Sequence, residues 1–309
     1  MRNLSIYCFL LIAALFIFPG CEGDPGNPGV SQLPDDIMAP EVLLILPRAN
    51  RNVYDRFVIE AFAVDDSSVE MVEFLIDGKE PESGDLKLTE PPYQVRWDCS
   101  ALANNVTHSI QARAWDGAGR YGLSQLVTVN KQHPALKPSS DTLRSYVEVS
   151  DPYIWLFPDT LNPYTGIGVR MIPDGPCRIM NFYVKLYVYE DWSGGKEMLF
   201  EIWNSANNQP DELLFVDTTC VDSIPRGFER PEGWVGYRVL GENIHVEDDF
   251  FILVTPVPGK PGDTLAVITD DGLWRNYHGV ARTNSGWGSF SMGPQIQFNP
   301  YIYARVRYD

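Results

Sequence analysis

Between Ile179 and Tyr189 the chain alternates with a period of two. In an extended backbone Met180, Phe182, Val184, Leu186 and Val188 point one way, and Asn181, Tyr183, Lys185, Tyr187 and Tyr189 the other. A helix turns once every ~3.6 residues and would scatter both sets around its axis. Shorter segments of strand character follow at 198–203, 213–218, 234–239, 250–255, 265–269 and 301–306, with Gly, Pro, Asn and Asp between them. No stretch shows a helical stripe of useful length. The alternation predicts an all-β chain, in which residues 143–309 form a larger, jelly-roll-like β-sandwich of two packed sheets. Tyr183, Tyr187 and Tyr189 then form either a platform on an exposed sheet face or the inner face of a strand covered on both sides. The burial reading is preferred.

Residues 39–131 read as a separate, smaller unit. Val58, Phe62 and Val64 alternate with Ile59, Ala61 and Ala63, so this strand is expected to be buried on both faces. Val72, Phe74 and Ile76 share one face of a strand that ends in an Asp77-Gly78 turn. Ile110, Ala112 and Ala114 point inward from the next long strand, and Gln111 and Arg113 outward. Short strands at this spacing predict a β-sandwich. Ala39-Pro-Glu-Val, Ala63-Val-Asp-Asp, Val69-Glu-Met-Val-Glu-Phe-Leu-Ile-Asp-Gly, Pro91-Pro-Tyr-Gln-Val-Arg-Trp-Asp and His108-Ser-Ile-Gln-Ala-Arg-Ala-Trp-Asp-Gly-Ala-Gly span nearly all of it, in order. In these segments the unit resembles the bacterial Ig-like domains of secreted and surface proteins, with Cys99 and Arg120 as departures. The resemblance implies an Ig-like β-sandwich that serves as a spacer. Residues 132–142, with two prolines and little apolar content, read as a linker.

The C-terminal unit carries its own pattern. It runs through Phe182-Tyr-Val-Lys-Leu, Phe200-Glu-Ile-Trp-Asn, Leu213-Leu-Phe, Gly233-Trp-Val, Asp249-Phe-Phe-Ile-Leu-Val and Tyr303-Ala-Arg-Val. This order resembles a sandwich module of secreted multidomain bacterial proteins. Many such sandwiches bind carbohydrate or mediate attachment, so a glycan or protein ligand is expected by resemblance, although fold alone does not fix function.

At the N-terminus Arg2 precedes an almost wholly apolar run from Leu4 to Phe18, too short for a membrane span of about 20 residues. The run ends in Phe18-Pro19-Gly20-Cys21, which resembles the lipobox of bacterial lipoproteins despite Pro19 and Phe18. The resemblance implies that residues 1–20 are a signal peptide and that Cys21 is lipidated, with Glu22 favouring an outer membrane. An ordinary secretion signal with a chance cysteine is the alternative. Residues 21–38, rich in Gly and Pro, read as a flexible tether. The expected location is the cell envelope, lipid-anchored at the outer membrane or cell surface.

The chain has 24 basic and 41 acidic residues, a formal net charge of −17. That balance argues against nucleic acid and anionic lipid as partners. Of five cysteines, Cys8 lies in the signal, Cys21 is the lipid site and Cys99 falls in the first unit. Cys177 and Cys220 fall in one unit and are the candidate disulfide. Asp65, Asp66 and Asp116 could supply oxygen ligands to Ca²⁺, the one cofactor considered, or cap turns through their own backbone.

Catalysis has little support in the sequence. The four histidines are scattered, and neither H-E-x-x-H nor G-x-S-x-G occurs. Carboxylate pairs for glycoside hydrolysis need distances to judge. Loop aromatics are the stronger lead: Trp192, Trp274 and Trp287, each flanked by polar and Gly residues. Flat apolar rings beside hydrogen-bonding groups suit sugar faces, whereas indoles that cap the sandwich ends are the plainer reading. The stretch from Asp270 to Trp287 also holds Arg275, Asn276, Tyr277, His278 and Arg282. The ligand site is therefore expected at Trp192, Trp274, Arg275, Asn276, Tyr277 and Trp287. The sequence favours a non-catalytic, envelope-anchored binding or adhesion lipoprotein, with carbohydrate binding placed in the C-terminal sandwich. A structural component of an envelope complex is the alternative, and a hydrolase the third reading.

Overall fold

The computed structural model describes residues 37–80, 86–146, 150, 152–157, 164–187, 197–220, 232–256, 265–271, 278–291 and 297–308. These residues are all-β, as the alternation predicts. The first nine strands are β1 (Glu41–Leu46), β2 (Arg51–Val53), β3 (Arg56–Val64), β4 (Val69–Ile76), β5 (Lys87–Leu88), β6 (Tyr93–Asp98), β7 (Val106–Asp116), β8 (Tyr121–Leu123) and β9 (Val127–Lys131). They build an Ig-like sandwich. One sheet has the order β1-β3-β6 and the other β2-β9-β7-β4-β5, with β8 on β7.

The apolar side chains that alternate in the sequence meet between these sheets. Phe57, Ile59 and Ala61 from one sheet pack on Val72, Phe74, Ile110, Ala112 and Ala114 from the other. Asp77 and Gly78 both have positive φ, at 51° and 70°, the geometry of the tight hairpin that Asp-Gly favours.

The remaining strands are β10 (Ser140–Arg144), β11 (Tyr153–Phe157), β12 (Tyr164–Met171), β13 (Cys177–Tyr187), β14 (Glu197–Ala206), β15 (Gln209–Cys220), β16 (Glu232–Arg238), β17 (His245–Val246), β18 (Phe250–Pro256), β19 (Leu265–Thr269), β20 (Gly279–Thr283), β21 (Gly286–Ser289) and β22 (Ile302–Tyr308). They form a larger sandwich of two sheets. One runs β10-β22-β13-β19-β11, with β16 and β17 also on β13, and the other runs β15-β14-β18-β12-β20-β21. Phe182, Val184 and Leu186 of β13 meet Phe200 and Ile202 of β14 and Ile252 of β18 in the core. A bulge between Ile179 and Asn181 shifts the expected register at the start of β13. Ile179 takes the core side there, and Met180 is only half-buried.

The stretch expected as a linker carries structure of its own. Pro134–Leu136 forms a 3-10 turn capped by His133, and Ser140–Arg144 is already β10, paired with β22. β3 explains why the two sandwiches belong together. Its first face fills the Ig-like core, and its second face, with Val58 and Glu60, is also buried. Against that second face stand residues of the larger sandwich. Arg170 Nη2 donates to Glu60 Oε1 at 2.5 Å, and His278 Nε2 donates to Glu60 Oε2 at 2.7 Å. Beside them on β6, Arg96 donates to Pro173 O at 2.6 Å and Gln94 to Asp249 Oδ2 at 3.2 Å. Arg51 pairs with Asp174 at 2.7 Å.

Burial alone would raise the Glu60 carboxyl, but His278 and then Arg170 outweigh it and hold the group down at about 2. Burial pushes Asp249 and Asp174 upward, against the nearby arginines. Glu60 therefore contributes stability above its ordinary value of about 4.3 and loses it as pH falls towards about 2.

Replacing Glu60 by Ala leaves buried Arg170 with only the longer Asp249 contact, at 3.8 Å, and leaves buried His278 without its carboxylate. Urea unfolding of the chain is expected to show a loss of about 3–5 kcal/mol. Removing the exposed Arg56–Asp98 pair by Arg56→Ala is expected to cost less than about 1 kcal/mol. Equal, small losses would mean the network does not hold the sandwiches together. Glu60→Gln is expected to remove the Glu60 share of acid sensitivity between about pH 4.3 and 2.

Candidate functional site

The sheet that begins with β10 has one face in the core and one face outward. Strand pairing fixes which outward side chains are neighbours. Thr142, Arg305, Asn181 and Arg238 form one cross-strand row over β10, β22, β13 and β16. Arg144, Tyr303, Tyr183 and Gly236 form the next. Lys185 and Trp234 stand opposite each other in the row beyond.

The rings in these rows touch. Tyr183 stacks on Tyr303 with centroids 4.5 Å apart and an interplanar angle of 16°. Trp234 meets Tyr303 edge-on at 4.9 Å and leans on Tyr146 at 5.9 Å. Tyr146 in turn stacks on Tyr301 at 4.5 Å. Tyr146 and Tyr301 are buried and form the floor, whereas Trp234 is 37% exposed and Tyr183 and Tyr303 are half-buried.

Gly236 makes room for the Tyr183 ring. A Cβ at Gly236 would lie 2.7 Å from Tyr183 Cε1, so only glycine lets the phenol ring lie across β16. Asn181 Nδ2 donates to Tyr183 Oη at 2.7 Å and fixes the ring's far end. Burial, with a smaller push from Tyr183, raises the Tyr303 hydroxyl, which therefore stays protonated at neutral pH.

A depression of ≈ 750 Å³ lies along the first row, bordered by Thr142, Asn181, Arg238 and Arg305. A carboxylate at its margin, Asp141, faces Arg51 at 3.7 Å. On the other side of β10 a cleft of ≈ 640 Å³ is lined by both sandwiches, with Arg48 and Leu126 from one and Thr142 and Arg144 from the other.

Tyr183 corrects the preferred reading of the tyrosine row. It lies on the outward face, half-buried against Tyr303 rather than inside a doubly covered strand. The side chain of Tyr187 and all of Tyr189 lie outside the described residues, as do Cys21, Trp192, Trp274, Arg275, Asn276 and Tyr277.

Trp287 is described, and it is not in a loop. Asn284 and Ser285 form a two-residue hairpin turn that places Trp287 on β21, an edge strand. There it packs edge-on against Trp203 at 5.3 Å, beneath the Arg282 guanidinium at 5.6 Å. Arg282 is held by both oxygens of buried Glu201, at 2.9 and 3.0 Å, and donates to Thr255 at 2.8 Å. Trp203 Nε1 donates to the same carboxylate at 2.9 Å. His278 is committed to Glu60. These groups satisfy one another, and they lie on the opposite sheet from the tyrosine pair.

Asp65 accepts from the Ser67 and Ser68 amides and caps a turn. Asp116 accepts from the Ala118 and Arg120 amides and from Arg120 Nε. Asp66 accepts a long bond from the Ile37 amide, at 3.4 Å. Among the described residues no group of three His, Cys, Asp or Glu side chains could hold a metal ion. Cys177 is buried in the core at the start of β13, and the side chain of Cys220 lies outside the described residues.

Residues 40–112 match the bacterial Ig domain family. The match spans the first strand through most of β7. No curated protein matches the chain. Among solved structures, the fibronectin(III)-like modules of Clostridium thermocellum CbhA are similar at 25% identity and a TM-score of 0.28, over 33% of this chain and 51% of theirs. The chain thus spans about half the length of that structure. Carbohydrate-binding modules of the β-sandwich superfamily are similar at 8% identity and a TM-score of 0.24, over 89% and 98%. A Bacteroides ovatus protein of a mixed-linkage glucan utilization locus, solved with a heptasaccharide, is similar at 13% identity and a TM-score of 0.23, over 84% and 70%. Scores this low leave the ligand to be argued from this chain's own residues.

Trp287→Ala is expected to lower unfolding free energy by roughly 1–2 kcal/mol, through loss of the indole pair and the Arg282 contact. Unchanged stability would show that the indole is not part of the packing and would return it to the list of ligand-facing groups.

Proposed function

We propose that the chain is an envelope-displayed binding protein, lipid-anchored at Cys21 and without catalytic activity, whose larger sandwich holds a glycan on its outward tyrosine face. The Ig-like sandwich acts as a firmly attached support. The observation that carries this reading is the Tyr183–Tyr303 stack beside exposed Trp234, seated against Gly236 and flanked by a polar depression. Pyranose rings present flat C–H faces and hydroxyl edges. Aromatic faces favour the former, and Asn181, Thr142 and the neighbouring guanidinium groups suit the latter.

An assembly role has one observation in its favour. Tyr121, Leu123 and Leu126 are 50%, 49% and 58% exposed near the β8 edge of the Ig-like sandwich. Exposed apolar groups of this kind suit a protein partner. The same experiment separates the two readings.

Trp234→Ala and Tyr303→Ala are expected to remove glycan-array binding by the soluble, signal-less chain, with Trp287→Ala retaining it. Absence of binding by the folded wild-type chain would exclude the glycan reading and leave the β8 surface as the working site.

A further inference from the structure

The tyrosine face is also where this acidic chain gathers positive charge. Arg144, Arg238, Arg305 and Arg307 are exposed on the outward side of β10, β16 and β22. Arg178 lies opposite Arg307, and Lys185 opposite Trp234. No carboxylate occupies an outward position in the rows from Arg178 to Lys185 on β10, β22, β13 and β16. Arg144, Arg238, Arg305 and Arg307 make no ion pair among the described residues.

The contrast with the rest of the molecule is chemical as well as numerical. Elsewhere arginines are matched to carboxylates: Arg170 to Glu60 and Arg51 to Asp174 at the module interface, Arg113 to Glu73 in the Ig-like sandwich, and Arg282 to Glu201 on the opposite sheet. With 41 acidic residues against 24 basic ones, chance favours a carboxylate beside every guanidinium. Arg305 instead sits 5.7 Å over the Tyr183 ring, and Arg48 donates to the Arg144 and Tyr146 carbonyls across the cleft. Desolvation, and then the charges of Arg144 and Arg51, push the Arg48 guanidinium below its ordinary value.

We propose that the outward face of this sheet binds an acidic polysaccharide, its carboxylate or sulfate groups on Arg144, Arg305 and Arg238 and its sugar rings against Tyr183, Tyr303 and Trp234. This rests on the glycan-binding reading above and adds the class of glycan. Guanidinium forks donate paired hydrogen bonds to planar carboxylates and to sulfates. The row from Thr142 to Arg238 crosses four strands, about 14 Å at the usual interstrand spacing, longer than one sugar ring, so a polymer fits it better than a monosaccharide.

The overall charge of −17 sets a limit on the partner. Duplex DNA, with a charge every ~1.7 Å, meets the repulsion of the whole molecule along its length. A polysaccharide with one charge per sugar or per disaccharide places its anions on the basic rows and neutral rings between them.

The test is titration of the soluble, signal-less chain with a polyuronate, a sulfated glycan and a neutral glucan, each at low and at physiological salt. The proposal expects binding to at least one acidic polymer that weakens with salt, and little binding to the glucan. The variant Arg144→Gln, Arg238→Gln, Arg305→Gln is expected to lose affinity for that polymer by about tenfold or more and to flatten its salt dependence. Its unfolding curve should match the wild type, since all three side chains are exposed. The polyuronate and sulfated arms tell carboxylate from sulfate recognition. Equal binding of neutral and acidic polymers, unchanged in the arginine variant, would overturn this proposal while the glycan reading stands. Binding of none of the three by folded protein would overturn both.

Discussion

Glu60 is the residue on which the two sandwiches turn. It lies on the second face of β3, a strand whose first face is already committed to the Ig-like core. A carboxylate buried there would be costly alone. Arg170 from β12 and His278 beside β20 come from distant parts of the sequence to meet it, and Arg96 and Gln94 extend the contact to Pro173 and Asp249. Buried pairs of this kind add little net stability over apolar packing, but they penalise any other arrangement that leaves one charge without its partner. The consequence is orientation. The Ig-like unit is a support with a defined seat on the larger sandwich, and its Arg48 lines the same cleft as Arg144.

That seat also divides the surface of the larger sandwich by task. The sheet carrying Arg170 spends its outward polar groups on internal partners, at the module interface and in the Glu201–Arg282–Trp203 cluster. The sheet carrying β13 and β22 spends its outward aromatic groups on each other and leaves its arginines facing solvent. A cluster whose donors and acceptors are mutually satisfied rigidifies a structure. One that pairs flat rings with guanidiniums lacking carboxylates has recognition capacity to spare.

Much of the fold could be read directly because strand periodicity is a local signal. Phe182, Val184 and Leu186 announced the core of the larger sandwich, and Asp77-Gly78 its hairpin in the smaller one. The doubly apolar β3 was legible as well, but its cause was not, since nothing local to Glu60 points to Arg170 or His278. β10 was hidden for a different reason. It is an edge strand with Leu143 as its single buried apolar side chain, so its first three residues, Ser140 to Thr142, read as part of a polar linker. The candidate face was half visible. Tyr301 to Arg307 alternates Tyr and Arg with Ile, Ala and Val, a pattern of one core face and one aromatic, basic face. Trp287 misled because Gly and Ser around it suit a loop and a tight β-hairpin equally well.

The most direct test of the account is where a ligand touches the protein. Backbone amide shifts of the soluble chain, followed by NMR during addition of an acidic oligosaccharide, would map it. The account predicts changes concentrated at Thr142–Arg144, Asn181–Lys185, Trp234–Arg238 and Tyr303–Arg307, with β20 and β21 unmoved. Changes centred on Arg282–Trp287, or confined to the Ig-like sandwich, would contradict it.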